Sequence, residues 1–255
     1  MLFDSHTHLD DRKFDSDRDE VIQEILDAGV TYALNAGADM DSSKRAIALS
    51  KKYPFIYASV GVHPSDAAYM TEEDIDTLRT LAQEEKVVAI GEIGLDYHYD
   101  NTEKPAQKKW FDRQMSLALD LEMPVIIHDR EAHGDCMEIL SKYDLTKTGG
   151  VLHCFSGSLE MARQAIKMGM YISFAGPVTY KNSVNLKEIA ASLPLDRILI
   201  ETDSPYLPPG AYRGQRNTSA YVGLVAEEIA RLRGMDTEEV AKATMENAKR
   251  LFKIG

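Results

Sequence analysis

Eight short β-forming runs, each followed by a stretch of helical patterning, constrain this chain more than any other feature of its sequence. The runs are residues 2–8, 31–36, 56–62, 87–93, 124–128, 150–155, 171–174 and 197–202. Most are apolar on both faces, as a parallel sheet covered on both sides requires. Helical spacing follows at residues 17–28, 42–52, 71–85, 105–121, 132–142, 159–168 and 184–193, and two further helices at 219–232 and 237–252 close the chain. In the first, Val21, Ile22, Ile25 and Leu26 share a stripe, and Gly29 stands where a C-terminal glycine belongs. Eight strands alternating with helices over 255 residues predict an α/β fold, a (β/α)8 TIM barrel. An open doubly wound sheet is the competitor, but the GxGxxG phosphate loop of its dinucleotide-binding form is missing. Gly91-Glu92-Ile93-Gly94 lacks that spacing and reads as a tight turn. With no Gly/Ser/Pro-rich linker and no repeat, residues 1–255 read as one domain.

A barrel places its chemistry at the C-terminal ends of its strands, and metal-ligating side chains gather there in this sequence. His6 and His8 end strand one, in LFDSHTHLD. Alternate residues of a strand face one way, so the two imidazoles converge while Thr7 faces away. Glu92 ends strand four in AIGEIGLD, His128 strand five in VIIHDR, His153 strand six in VLHCFSG, and Asp203 strand eight in ILIETDSP. On strand eight, Leu199, Glu201 and Asp203 share the inward parity, and Ile198, Ile200 and Thr202 the outward one. Carboxylates turned into a barrel need positive charge beside them. A lone strand-end histidine is usually a hydrogen-bonded core residue, but four histidines and two carboxylates at one mouth are hard to explain as packing. Six ligands suit two divalent ions about 3.5–4 Å apart, with Glu92 as the natural bridge. The mixed nitrogen and oxygen set fits Zn, Mn, Fe or Ni, and Mg less well because Mg prefers oxygen.

Charge and cysteine usage narrow the class further. The net charge is −12, from 29 basic and 41 acidic residues, which argues against holding nucleic acid through a broad basic surface. It does not exclude nucleic acid as a substrate, since bound cations reverse the local field. Cys136 and Cys154 are too few for a disulfide framework. Neither a signal peptide nor a membrane span is evident, so a cytoplasmic protein away from membranes is expected.

The ligand-bearing segments resemble the TatD family of metal-dependent hydrolases, the TatD-type deoxyribonucleases of the amidohydrolase-like group. The resemblance spans the chain. It runs through FDSHTHLD, SVGVHP, AIGEIGLDY, a QxxxFxxQxxLA stretch ending in PVIIHDREA, GVLHCFSGS, ILIETDSPYLPP and the YRGQRN loop. It implies a metal-binding set of His6, His8, Glu92, His128, His153 and Asp203, and hydrolysis of phosphodiester bonds in DNA. Related members act on D-aminoacyl-tRNA, so the family leaves the substrate open. One departure is visible: Ser219 stands where the pattern places a proline two residues after Asn217, which weakens the case for substrate contacts from that loop.

The expected chemistry is attack on phosphorus by a hydroxide bridging two ions, with Asp203 as general base or as ligand only. His63, ahead of Pro64, either donates to a substrate phosphate or leaving group, or orders its turn. Glu201 is expected to orient a histidine ligand or to fill a polar layer. Arg130, Arg213 and Arg216 could fork onto phosphate oxygens or form surface salt bridges. Tyr206 and Tyr212 could stack on an unpaired base or be ordinary loop tyrosines. Cys154 alternates away from His153 and reads as a buried packing residue, and His98 receives no role. Two rival functions stand beside the nuclease. One is hydrolysis of an ester, lactone or amide, D-aminoacyl-tRNA deacylation included; the other is a catalytically silent metal-binding scaffold. The acidic charge favours single-stranded or short DNA as substrate, and no obligate protein partner is evident.

Overall fold

The computed structural model describes residues 1–99 and 103–255. Eight parallel strands form one sheet in chain order: β1 (Leu2–Thr7), β2 (Val30–Asn35), β3 (Ile56–Val60), β4 (Val87–Asp96), β5 (Val125–Arg130), β6 (Gly150–Leu152), β7 (Met170–Phe174) and β8 (Ile198–Ile200). Helices α1 (Arg18–Asp27), α2 (Met40–Lys52), α3 (Glu72–Leu81), α4 (Lys104–Asp120), α5 (His133–Leu140), α6 (Leu159–Lys167), α7 (Val184–Ser192) and α8 (Val222–Arg233) alternate with them, and α9 (Thr237–Phe252) follows. This is the expected (β/α)8 barrel.

Alternation along the strands sorts the core into two layers. Val30, Ile56, Ile90, Ile127, Leu152, Ile172 and Ile198 belong to the outer layer beneath the helices. Phe3, Leu34, Ala89, Ile126, Val151, Tyr171 and Leu199 form the inner one. Phe252 of α9 joins the inner layer beside Phe3, ring centroids 6.1 Å apart, and so closes the barrel at the N-terminal ends of the strands. The opposite end stays open for chemistry.

β1 and β8 meet at a seam without a regular ladder. An isolated bridge joins Thr7 to Ser204. Asp203 N donates to His6 O at 2.9 Å, and His8 N donates to Ser204 O at 2.7 Å. The buried Asp4 carboxylate accepts from Thr202 N at 2.9 Å and from Thr202 Oγ1 at 2.5 Å. His6 and Asp203, which flank the seam, are thus positioned by a backbone bond between them.

Two expectations need correction. Residues 91–94 do not turn: β4 runs through them to Asp96, pairing Gly94 with His128 and Asp96 with Arg130. Gln107 secures that extension by accepting from Asp96 N and donating to Asp96 O, each at 2.8 Å. Gly94 sits at φ 143°, and a Cβ there would strike the His128 carbonyl, so glycine is needed for close strand approach rather than for a turn. β6 and β8 are also shorter than expected. The chain bends at Cys154 (φ 42°) and Asp203 (φ 56°), so His153 and Asp203 stand just past their strands.

Candidate metal centre

Strict alternation from inward-facing Phe3 would send Ser5 and Thr7 into the barrel and both histidines out. β1 avoids this with a register shift between Asp4 and Thr7. Ser5 Oγ meets Ser173 Oγ at 3.3 Å, while Thr7 Oγ1 meets Ser204 Oγ at 2.6 Å. His6 and His8 then face the open mouth. β4 does the same: Ile90 and Ile93 both belong to the outer layer, and a register shift between them frees Glu92 to point inward.

Glu92, only 3% exposed, is the hub. Its Oε2 lies 3.3 Å from His6 Nε2 and 3.5 Å from His8 Nε2. Those two nitrogens are 3.2 Å apart, and Asp203 Oδ1 lies 3.8 and 3.5 Å from them. Ligands of a tetrahedral ion with bonds of about 2.0–2.1 Å lie about 3.3 Å from one another, so this quartet has the spacing of a coordination shell. Glu92 Oε1 lies 2.8 Å from both His128 Nδ1 and His153 Nε2, which are 3.2 Å apart. One carboxylate therefore presents one oxygen to each of two imidazole pairs.

Acceptors behind the rings set their tautomers. His8 Nδ1 lies 3.1 Å from Ala36 O, His128 Nε2 lies 3.0 Å from Asp96 Oδ2, and His153 Nδ1 lies 3.3 Å from Glu201 Oε1. A proton on each outer nitrogen leaves the inner lone pair free. Asp96 escaped the sequence reasoning. It stands four residues after Glu92 on one strand, and that even spacing was the available signal. Glu201 takes the expected orienting position and also accepts from Cys154 N at 2.7 Å. His6 Nδ1 and Glu201 Oε2 are buried with no hydrogen-bond partner among the described residues.

The charges follow this layout. Burial would raise the Glu92 carboxyl, but His153, His6, His63 and His128 outweigh it and hold it well below the usual range. Asp203 is lowered against burial by His8 and His6. Burial opposes protonation of His8, yet Asp203 and Glu92 push it up to about 9. His128 is raised against burial by Asp96 and Glu92, and His153 well above the ordinary value by Glu92 and Glu201. His6, stacked on His153 with centroids 4.0 Å apart, is lowered by burial and by that neighbour. The carboxylates thus draw positive charge into a buried cluster, the electrostatic demand that a divalent ion meets.

His63 behaves differently. Its Nδ1 accepts from Ser65 N at 3.1 Å, and its Nε2 lies 3.6 Å from Glu92 Oε1. Burial and then His128 lower it to about 3. The neutral ring therefore carries its proton on Nε2, as an N–H donor at the mouth of the cluster.

A whole-chain match settles the family. The sequence profile described as TatD related DNase matches residues 3–253. The chain belongs to the TatD family. It is a metal-dependent hydrolase, and it is similar to others so named. It is 48% identical over 254 residues to the metal-dependent hydrolase YabD of Bacillus subtilis, itself uncharacterised, covering 100% of both chains. It is 33% identical to the 3'-5' ssDNA/RNA exonuclease TatD of Salmonella typhimurium, covering 99% of each. The crystal structure of YjjV, a TatD homologue from Escherichia coli K12, superposes with a TM-score of 0.94 at 32% identity, covering 100% of this chain and 98% of that one.

The remaining expected residues of this TatD-family hydrolase divide into engaged and free. Arg216 grips Asp17 through both terminal nitrogens (2.9 and 2.5 Å), donates to Lys13 O at 2.6 Å and lies over Phe14. Its fork is occupied as a loop brace. Asn217 beside it donates to Thr202 O at 2.8 Å and Tyr206 O at 2.6 Å, clamping the segment that carries Asp203. Tyr212 is stacked on Tyr221, centroids 4.1 Å apart. Cys154 is half-buried rather than buried, because alternation ends with β6 at Leu152. Burial, Asp203, Glu201 and Glu92 push its thiol up. His98 pairs with Glu131 at 2.7 Å. Arg130 and Arg213 are exposed and have no carboxylate partner among the described residues. No helix among those residues is long and apolar enough to cross a membrane.

Proposed function

We propose that this hydrolase cleaves phosphodiester bonds in single-stranded or short DNA with two divalent ions. His6, His8, Asp203 and Glu92 Oε2 would hold one, and Glu92 Oε1, His128 and His153 the other. The carrying observation is the divided carboxylate: each Glu92 oxygen faces its own pair of imidazoles. Such ions, when bound, supply Lewis acidity and make water acidic enough to attack near neutral pH.

The protein groups then have separable tasks. Asp203 contributes Oδ1 to the first group, while its Oδ2 has no protein hydrogen bond among the described residues. That oxygen takes the proton of the attacking water. His63 Nε2–H donates to a phosphate oxygen as charge builds on it. Asp96 and Glu201 hold His128 and His153 in register. The net charge of −12 disfavours long duplexes, and the relative named as an ssDNA/RNA exonuclease supports a single strand.

The test pairs elemental analysis with turnover on a short single-stranded oligonucleotide, a lactone and an aminoacyl-RNA. The expected result is two ions per chain and a preference for the oligonucleotide. Faster turnover of a carbonyl substrate would overturn the phosphodiesterase reading. An Asp203→Asn variant with both ions and near-normal turnover would reject the general-base role.

A further inference from the structure

Three tyrosines around the mouth each carry a cation on the ring. Lys13 Nζ lies 4.2 Å from the centroid of Tyr206, the Arg130 guanidinium 5.0 Å from Tyr99, and the Arg213 guanidinium 4.8 Å from Tyr180. All six residues lie at or beyond the C-terminal ends of β1, β4, β5, β7 and β8. Two of the pairs are tied to the metal-centre residues. The Tyr206 ring stands edge-on to His8, centroids 6.1 Å apart. Tyr99 N donates to Asp96 Oδ1, whose partner oxygen faces His128.

Among the described residues, no carboxylate holds any of the three cations. Arg18, Arg45, Lys52 and Arg216 nearby are all in ion pairs with carboxylates, whereas Lys13, Arg130 and Arg213 are in none among the described residues. Large exposed apolar residues gather at the same end of the barrel. Apart from Met1 and Leu26, the large exposed ones are Tyr69, Tyr99, Val184, Tyr206 and Leu207, all on segments that follow β3, β4, β7 and β8.

We propose that these three tyrosine–cation pairs are subsites for one nucleic-acid strand, its bases on the tyrosine rings and its phosphates at the cations. The proposal rests on the nuclease reading of the adjoining cluster and adds the path by which the strand reaches it. A ring offers any base a stacking face, so the track is sequence-tolerant. A cation parked on a ring breaks no ion pair when it turns to a phosphate. A duplex keeps its bases stacked on each other, so the track selects single strands.

Fluorescence anisotropy with a fluorescein-labelled, phosphorothioate-linked thymidine octamer in Mn2+ reads binding without cleavage. Turnover of a thymidine dinucleotide reads the chemistry separately. Tyr99→Leu, Tyr180→Leu and Tyr206→Leu should each weaken octamer binding by about fivefold or more. Lys13→Ala, Arg130→Ala and Arg213→Ala should each reduce the slope of log K against log salt by about 0.7. Tyr212→Leu removes a ring already committed to Tyr221 and should bind like the parent. The track is overturned if folded tyrosine variants bind the octamer normally, or if the parent does not bind it. Dinucleotide turnover without octamer binding overturns the track and leaves the nuclease reading standing. Octamer binding that the tyrosine variants weaken, with no strand cleaved, supports the track and overturns the nuclease reading.

Discussion

His63→Ala separates a hydrogen-bond donor from a metal ligand at the third imidazole facing Glu92 Oε1. The Ser65 N–H occupies Nδ1 at 3.1 Å, which leaves the proton of the neutral ring on Nε2, 3.6 Å from Glu92 Oε1. With its pKa lowered to about 3 by burial and by His128, roughly one ring in ten thousand is protonated at pH 7. A ligand would need the lone pair that the Nε2 proton occupies. The variant should therefore keep its full complement of ions by elemental analysis. Losing one donor aimed at a charge-building oxygen costs about 10²–10³ in kcat, or about 3–4 kcal/mol. KM should change little, because the bond strengthens as charge builds. In the parent, kcat should show no limb from His63 between about pH 5 and 9, since the ring stays neutral throughout. Ser65 N–H loses its acceptor as well, about 1 kcal/mol of stability, which thermal melting reads independently. Loss of one ion per chain would refute the tautomer argument. A lower Tm with unchanged kcat would reduce His63 to ordering its turn.

Further outcomes follow from the same geometry. Glu92→Gln keeps one carbonyl oxygen but replaces the other with an NH2 that cannot ligate, so elemental analysis should show at most one ion and turnover should fall at least about a hundredfold; two tightly held ions would contradict the bridge. Asp96→Asn should weaken metal affinity by about 10- to 100-fold through His128, read by competition with a chelating dye. Ions must displace the protons that Asp203, Glu92, Asp96 and Glu201 hold on His8, His128 and His153. Apparent metal affinity should thus rise with pH up to about 9, where His8 titrates, by about tenfold per pH unit for each proton expelled; calorimetry showing no proton release would count against it. Asp4→Ala should leave the Thr202 N–H and hydroxyl hydrogen without an acceptor at the seam, costing about 2–4 kcal/mol and lowering Tm by about 5–10 °C.

Periodicity made the barrel legible. Eight apolar runs preceded helical stripes, and each run marks an observed strand to within a few residues. The six clustered residues were legible for a related reason: imidazoles and carboxylates near the ends of apolar strands are out of place unless something charged lies between them. Asp96 is hidden because two glycines interrupt the apolar run, and the extension of β4 to Asp96 is secured by Gln107 of a separate helix. The fate of Arg216 and Tyr212 could not be read, because Asp17 and Tyr221 come from separate segments that only the fold brings against them.

What periodicity could not supply is the departure from it. His6 and Glu92 both lie where regular alternation from the core residues that precede them, Phe3 and Ile90, would turn them toward the helices. A register shift in β1 and another in β4 bring them back to the mouth. An extra residue in a buried strand breaks a ladder that a regular sequence would have completed, so it persists only where other interactions hold it. In β1 those are the Asp203 N to His6 O bond and the Asp4 clasp on Thr202. In β4, Glu92 N donates to Gly37 O at 2.8 Å, and Gly94 admits the His128 carbonyl at close range. The apolar pattern therefore builds the barrel, and the two interruptions in that pattern aim its chemistry. A variant that restored regular pairing in either strand would keep the fold and turn a ligand away from the cluster.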